Sequence, residues 1–367
     1  MNKTLSFNYF LNDLQASTTF SVKVVNDRIA ALASSLSPTR CLISLSRDIE
    51  PSRQSIPYPN QVQAIDQSDI YLSEIIAVES YYHLAIPDYA RYIRVLIIEL
   101  QRLQNHFACF SALGLNLNFN NFRRRAWQDE NRIQNLLKLI EASSSLNTYL
   151  RIGGITQDLP IGFIEKLEHT LKTVEKGLPY YQNQLQKNYI LIDQLTNVGT
   201  ISAELAEKYN LSGPNLRAAG LSRDGRFKEL SAYYSGIDFQ PATLKGINSE
   251  PGDARCRCWI RYREIIESIR IIYQVIDLLI KTEPQFFNHY PLAKRDFVCD
   301  YSIEGVEGTI TSHVLKRGHE NCFLSKHLLP IWEILKILPV ITDGVHLSSL
   351  SALLTSLNLN SGKYFQS

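Results

Sequence analysis

The sequence has six cysteines, at positions 41, 109, 256, 258, 299 and 322, and no C-x-x-C pair among them. Zinc ribbons, thioredoxin-like redox motifs and thiolate-held clusters therefore lack their usual spacing. So few cysteines in 367 residues also argue against a disulfide framework and fit a reducing compartment. Glycine is absent before position 114, which excludes a glycine-rich phosphate loop there, and G-x-G-x-x-G, the P-loop and G-x-S-x-G occur nowhere. Neither sign of charge is in excess: 38 Lys and Arg against 36 Asp and Glu give a net +2. A nucleic-acid binder held by phosphate charge would show a basic surplus or stripe, so none is expected. No run approaches the roughly 20 predominantly apolar residues of a membrane span. The most apolar stretch, residues 269–280, is interrupted by Arg270, Gln274 and Asp277. Met1-Asn-Lys-Thr-Leu-Ser-Phe7 has one basic residue and no apolar core behind it, so it reads as neither secretory nor transit peptide.

What is present is a chain with 45% hydrophobic residues, enough for a sizeable core. Strand signals fall at Phe20–Val25, followed by the turn pair Asn26-Asp27 and Arg28–Leu32, and at Cys41–Leu45. From Asp88 the apolar period becomes helical, with Ile93, Leu96, Ile97, Leu100, Leu103 and Phe107 on one face through about Leu113. Further helices are expected at 126–146, at 163–186, briefly at 202–209, and over Cys258–Lys281. Strand-like alternation returns at 308–315, before helical segments near 328–338 and 346–357. The predicted fold is mainly α with small β elements (α+β), built on a bundle of long helices. Its parts are a β-rich segment 1–60, a helical core 61–290 and an α+β segment 291–367 in one continuous domain.

The eight histidines form no H-x-x-x-H pair and no carboxylate grouping at metal-ligand spacing. His319, Cys322 and His327 make only a loose group, of the kind surface loops produce by chance. Four segments are more informative. In Tyr92–His106, Glu99, Arg102 and His106 lie three and four apart and share one helical stripe. That stripe reads either as an internal ion pair with a histidine or as a polar seam facing a redox partner. Buried charge is costly unless paired, so Arg102 is expected to contact Glu99 or another acid. In Arg151–Pro160, the pair Gly153-Gly154 permits close approach of a backbone or cofactor, and Asp158-Leu-Pro160 has the pattern of a helix start. Leu211–Gly220 is a turn of small residues carrying Arg217. Gly252-Asp253 enters a helix on which Arg257, Arg261 and Glu264 share a stripe.

In this order and at these separations, the four segments resemble the 49-kDa-type large subunit of respiratory complex I, called D in bacteria and related to nickel–iron hydrogenase large subunits. The matching patterns are Y-I-R-V with E-x-x-R-x-x-N-H at 92–106, Y-x-R-x-G-G with D-x-P-x-G at 149–162, S-G-x-x-L-R-x-x-G at 212–220, and G-D-x-x-x-R-x-x-x-R-x-x-E at 252–264. The likeness covers roughly residues 60–280 and fades at both ends. It implies a hydrogenase-large-subunit-like bundle and a place in an NADH:quinone oxidoreductase. It further implies a small cluster-bearing subunit, a 30-kDa-type subunit and a membrane-arm subunit as partners. The assembly would sit on the cytoplasmic face of a bacterial inner membrane or the matrix side of the mitochondrial one. This chain would hold no prosthetic group, with quinone and a partner-held 4Fe-4S cluster nearby and NAD bound only by other subunits. The resemblance offers Glu99, Arg102, His106, Arg151, Gly153, Gly154, Asp158, Arg217, Asp253 and Arg257 as interface or cluster-facing residues.

The departures concern chemistry. The family's histidine-bearing hairpin segment corresponds to Asn12–Ser17, with Asn12 and Ala16 in place of imidazoles, and the quinone-bonding tyrosine falls at Ala64. A histidine beside the cluster is Leu146, and the family's Cys and Asp after Gly-Asp are Ala254 and Cys256. The ending Leu357–Phe365 also departs from the family pattern. Two expectations stand against each other: a subunit helping to form the quinone-reduction region with its own quinone residues largely lost, and a catalytically silent scaffold that keeps only its interfaces. In either case activity would belong to the assembly and not to the isolated chain.

Overall fold

The computed structural model describes residues 2–11, 16–35, 42–46, 67–141, 149–228, 230–289, 296–316 and 323–359. Asn12, Ala64 and Leu146 lie outside them, as do His319 and Cys322. The main helices are α1 (Gln67–Tyr81), α2 (Asp88–Asn116), α3 (Asn120–Glu141), α4 (Phe163–Glu175), α5 (Leu178–Lys187), α6 (Tyr189–Leu195), α7 (Ala203–Lys208), α8 (Gly213–Ala218) and α9 (Ala254–Lys281), with α10 (Ile331–Thr342) and α11 (Leu350–Ser356) near the C-terminus. The fold is mainly α with small sheets, as the periodicity predicts.

Helix α2 is buried nearly all round: 21 of its 29 residues are buried, charged ones such as Arg94, Glu99 and Arg102 among them, as befits a central helix. It packs lengthwise against α3 and α9, and α11 closes over it. Helix α9 starts cleanly because Asp253 caps it: its Oδ1 accepts from the Cys256 N–H at 2.8 Å, while Oδ2 accepts from the Asn197 N–H at 3.0 Å. Pro87, extended, ends the preceding turn and admits α2.

Three antiparallel strands, β1 (Asn2–Leu11), β2 (Ala16–Val25) and β3 (Arg28–Ser34), form a meander. Leu11 pairs with Ala16 in the first hairpin. In the second, Asn26 and Asp27 both take positive φ (50° and 60°), the two-residue turn that strand twist favours. Two short strands, β5 (Leu150–Arg151) and β6 (Gly154–Ile155), pair with each other. A further sheet, in the order β4 (Leu42–Ser46), β9 (Phe323–Leu328), β8 (Thr309–Lys316), β7 (Phe297–Glu304), joins the N-terminal part of the chain to its C-terminal part. Helix α1 lies against β7 and β8.

Three sequence expectations need correction. The helix expected over 163–186 is two, broken at Gly177 because Pro179 sits in the first turn of α5 and cannot continue α4. The helix expected at 126–146 begins earlier, at Asn120. Asp158 does not start α4, which opens at Phe163 after Gly162; its carboxylate instead accepts from the Tyr89 hydroxyl and the Leu159 N–H, both at 2.7 Å.

Candidate functional site

The stripe Glu99–Arg102–His106 of α2 meets the stripe Arg261–Glu264 of α9 in the middle of the molecule, where all five side chains are out of contact with water. Glu264 is the hub. Its Oε2 lies 2.8 Å from His106 Nε2 and 3.6 Å from Arg102 Nη1, and its Oε1 lies 2.6 Å from Arg217 Nη2. Arg217, on α8, also binds Glu304 at the end of β7 at 2.8 Å. Arg226 spans Asp224, through Nε at 3.0 Å and Nη2 at 2.7 Å, and Glu99 at 3.1 Å. Glu99 further accepts from the hydroxyls of Tyr234 and Ser268, each at 2.5 Å. At the other end Arg261 grips Glu307 through both Nη atoms at 2.6 Å, and its Nη1 reaches His106 Nδ1 at 3.3 Å.

Electrostatics follow from this wiring. Burial alone would raise Glu264, but Arg217, the His106 hydrogen bond and Arg102 hold it well below the usual carboxylate range. Burial lowers His106, outweighing the pull of Glu264. Burial raises Glu304, and Arg217 only partly opposes it. Asp69 on α1 is pushed by burial up to about 6, against the pull of Arg102 and a hydrogen bond from the Val306 N–H.

A second buried knot lies at the N-terminal part of α2. Arg94 binds Glu79 of α1 end-on, through Nη1 and Nη2 at 2.8 Å each, and donates to the carbonyls of Arg151 at 2.7 Å and Gly154 at 2.8 Å. The Gly153 N–H donates to Glu79 at 2.7 Å. The close approach that Gly153-Gly154 permits is thus made by the chain's own backbone: a Cβ on Gly154 would collide with the Phe286 carbonyl oxygen, and φ there is +151°. Arg151 lays its guanidinium 4.1 Å over the Phe287 ring. Tyr89, held by Asp158, completes the loop's anchorage.

Arg102 contacts Glu99 (3.6 Å) and Glu264, as the cost of buried charge requires. The structure brings Glu99, Arg102, His106 and Arg217 together in one network, and Arg151, Gly153, Gly154 and Asp158 in the loop beside the other. Asp253 and Arg257 belong to neither. Arg257 leaves its stripe-mates and clamps the carbonyls of Val198, Gly199 and Gly252 and the Ser356 hydroxyl at 2.7–3.1 Å. Burial with no bound carboxylate lowers it to about 10. Of Ala16 only the backbone, at the start of β2, is described. Sequence reasoning missed Glu79, Arg94, Asp224, Arg226, Glu304 and Glu307. Arg94 was signalled, because it is the arginine of Tyr92-Ile-Arg-Val95, an arginine set among buried apolar positions. Among the described residues no group of three or more His, Cys, Asp or Glu is arranged to hold a metal, and no helix is long and apolar enough to cross a membrane.

The family described as the 49 Kd subunit of respiratory-chain NADH dehydrogenase matches residues 123–299. The D 1 subunit of the NADH-quinone oxidoreductase of Cytophaga hutchinsonii is 28% identical over 340 residues, covering 87% of this chain and 86% of the relative. The D subunit of the same oxidoreductase in Clostridium beijerinckii is 29% identical, with 83% and 81% covered, and its counterpart in Geobacillus thermodenitrificans 29%, with 87% and 88% covered. All four resembling segments supply side chains or backbone to the buried knots and clamps just described. Over most of its length the chain is thus similar to D subunits of NADH-quinone oxidoreductases, and over residues 123–299 to the 49 Kd subunit of respiratory-chain NADH dehydrogenase.

Proposed function

We propose that the chain is the D-type subunit of a membrane-associated NADH:quinone oxidoreductase, where it frames the quinone-reduction region beside a partner's iron–sulfur cluster without supplying quinone's protons itself. One observation carries this: the four resembling segments all contribute to buried charge networks or clamps, whereas the positions that would meet quinone hold Asn12, Ala16 and Ala64. Amide and methyl side chains are not acids, so no protonation step is assigned to them. The residues present do not fit a quinone headgroup as the family's imidazoles and phenol would. What the chain contributes is rigid geometry and fixed charge.

The partners in this reading are a small cluster-bearing subunit, a 30-kDa-type subunit and a membrane-arm subunit. The assembly is peripheral to the membrane, on its cytoplasmic or matrix face. Arg151 is the charge nominated to act on the partner's cluster. A nearby positive charge favours the reduced form, and the Arg94 and Phe287 contacts hold this one in place.

The test is Arg151→Ala in the assembled complex. The cluster potential should fall with subunit stoichiometry kept, or assembly should weaken. If potential and stoichiometry both stay unchanged, Arg151 only anchors its loop.

A further inference from the structure

We infer that the buried network around Glu264 is a single-proton site, with the proton carried by the Glu304 carboxyl and exchanged with solvent through the cleft above it. The inference rests on the wiring and not on the proposed function. Among the described residues, five carboxylates are linked in the network (Glu99, Asp224, Glu264, Glu304, Glu307), and four guanidiniums (Arg102, Arg217, Arg226, Arg261) face them.

His106 does not make up the difference. Its Nδ1 faces an Arg261 N–H, which can only donate, so Nδ1 must hold a lone pair and Nε2 the proton given to Glu264. The imidazole is neutral, and one carboxylate is left without a cation. A buried carboxylate in that position takes a proton sooner than keep its charge.

The geometry singles out Glu304. Glu99 has Arg226, Arg102 and two hydroxyls; Asp224 and Glu307 are each held by two nitrogens of one arginine. Glu304 has one arginine nitrogen, on an Arg217 already engaged by Glu264 and Asp224, and the Gly225 N–H at 3.1 Å. Its like-charged neighbour Asp224 adds to the burial that raises it, and Arg102 acts on it from a distance. Asp69, on the α1 side, accepts from Val306 two residues on and carries its own raised carboxyl.

Access is provided by a cleft of about 820 Å³. Its lining includes the buried Glu304 and Asp224, together with Ser212, Gly213 and Thr309 and the exposed charges Glu207, Arg223 and Lys228. A hydronium arriving there gives its proton to a Glu304 oxygen and leaves as water. Arg217 then belongs to Glu264 and Asp224 alone, so the protonation state at the cleft is felt at the His106–Glu264 pair.

The test uses the full chain with its glutamate side-chain carboxyls labelled with ¹³C, titrated by NMR, which leaves Asp69 silent. One buried glutamate should remain protonated to a higher pH than the other glutamates, and Glu304→Gln should remove that signal. Ser222→Trp, an exposed position on the cleft, should slow its solvent deuterium exchange. A wild-type protein with no such glutamate overturns the inference, as does a signal that survives Glu304→Gln. Should Glu304→Gln fail to fold, ¹⁵N shifts of wild-type His106 decide: a neutral Nε2–H ring supports the account, and an imidazolium at neutral pH refutes it.

Discussion

His106 Nε2 and the Glu264 carboxylate lie 2.8 Å apart, joining residues 158 positions distant at the crossing of the two longest helices. The contact ties α2 to α9 at a point where neither side chain touches water. It is also where the first and fourth family segments meet. The bond therefore serves packing and charge placement together.

Replacing Glu264 by Gln leaves Arg217 and Arg102 buried with their shared acid gone. The expected cost is about 3–5 kcal/mol, the usual penalty for removing one partner of a buried ion pair. Urea unfolding of both proteins measures it. A loss below about 1 kcal/mol would mean that the network relaxes or admits water more readily than its burial indicates.

Two glycines with positive φ separate backbone strain from steric collision. Gly162 has φ +76° with nothing near a prospective Cβ, so Gly162→Ala should cost only about 1 kcal/mol. Gly154 has φ +151° and faces the Phe286 carbonyl, so Gly154→Ala adds a backbone collision to the strain. It should cost clearly more, about 3 kcal/mol or above, and loosen the Arg94–Glu79 knot. Equal unfolding midpoints for the two variants would contradict this.

Asp69 gives the chain a pH signature. Its folded carboxyl titrates at about 6, above an unfolded aspartate, so the folded state binds the proton more tightly. Its contribution is fully present below about pH 4 and is lost as pH rises to about 6, on the order of 3 kcal/mol in all. Glu264, held low, acts oppositely and loses its contribution as pH falls. Asp69→Asn keeps an acceptor for the Val306 N–H and should flatten the fall between pH 4 and 6. A wild-type-shaped stability profile in that variant would rule Asp69 out as the source.

Much of the fold is legible because the long helices announce themselves. The apolar period of α2 and the Gly252-Asp253 entry to α9 follow from propensity and capping alone, and so does the turn at Asn26-Asp27. Strands β1, β7 and β9 were not legible, because short half-buried strands depend on partners far along the chain: β7 pairs with β8, and β9 with both β8 and β4. Within the site, Glu99, Arg102 and His106 could be grouped because helical spacing is local. Glu304, Glu307 and Arg226 could not, because only tertiary packing brings them to Arg217, Arg261 and Glu99. Arg257 illustrates the same limit: sharing a helical stripe with Arg261 fixes its direction and not its partners, which are loop carbonyls.

Purification through a tag on this chain from native membranes tests its proposed place in an NADH:quinone oxidoreductase most directly. The predicted result is stoichiometric co-purification of the small cluster-bearing subunit, the 30-kDa-type subunit and a membrane-arm subunit, with the cluster's electron paramagnetic resonance signal in the same fraction. Recovery of the chain alone from intact membranes that do contain those subunits would contradict it.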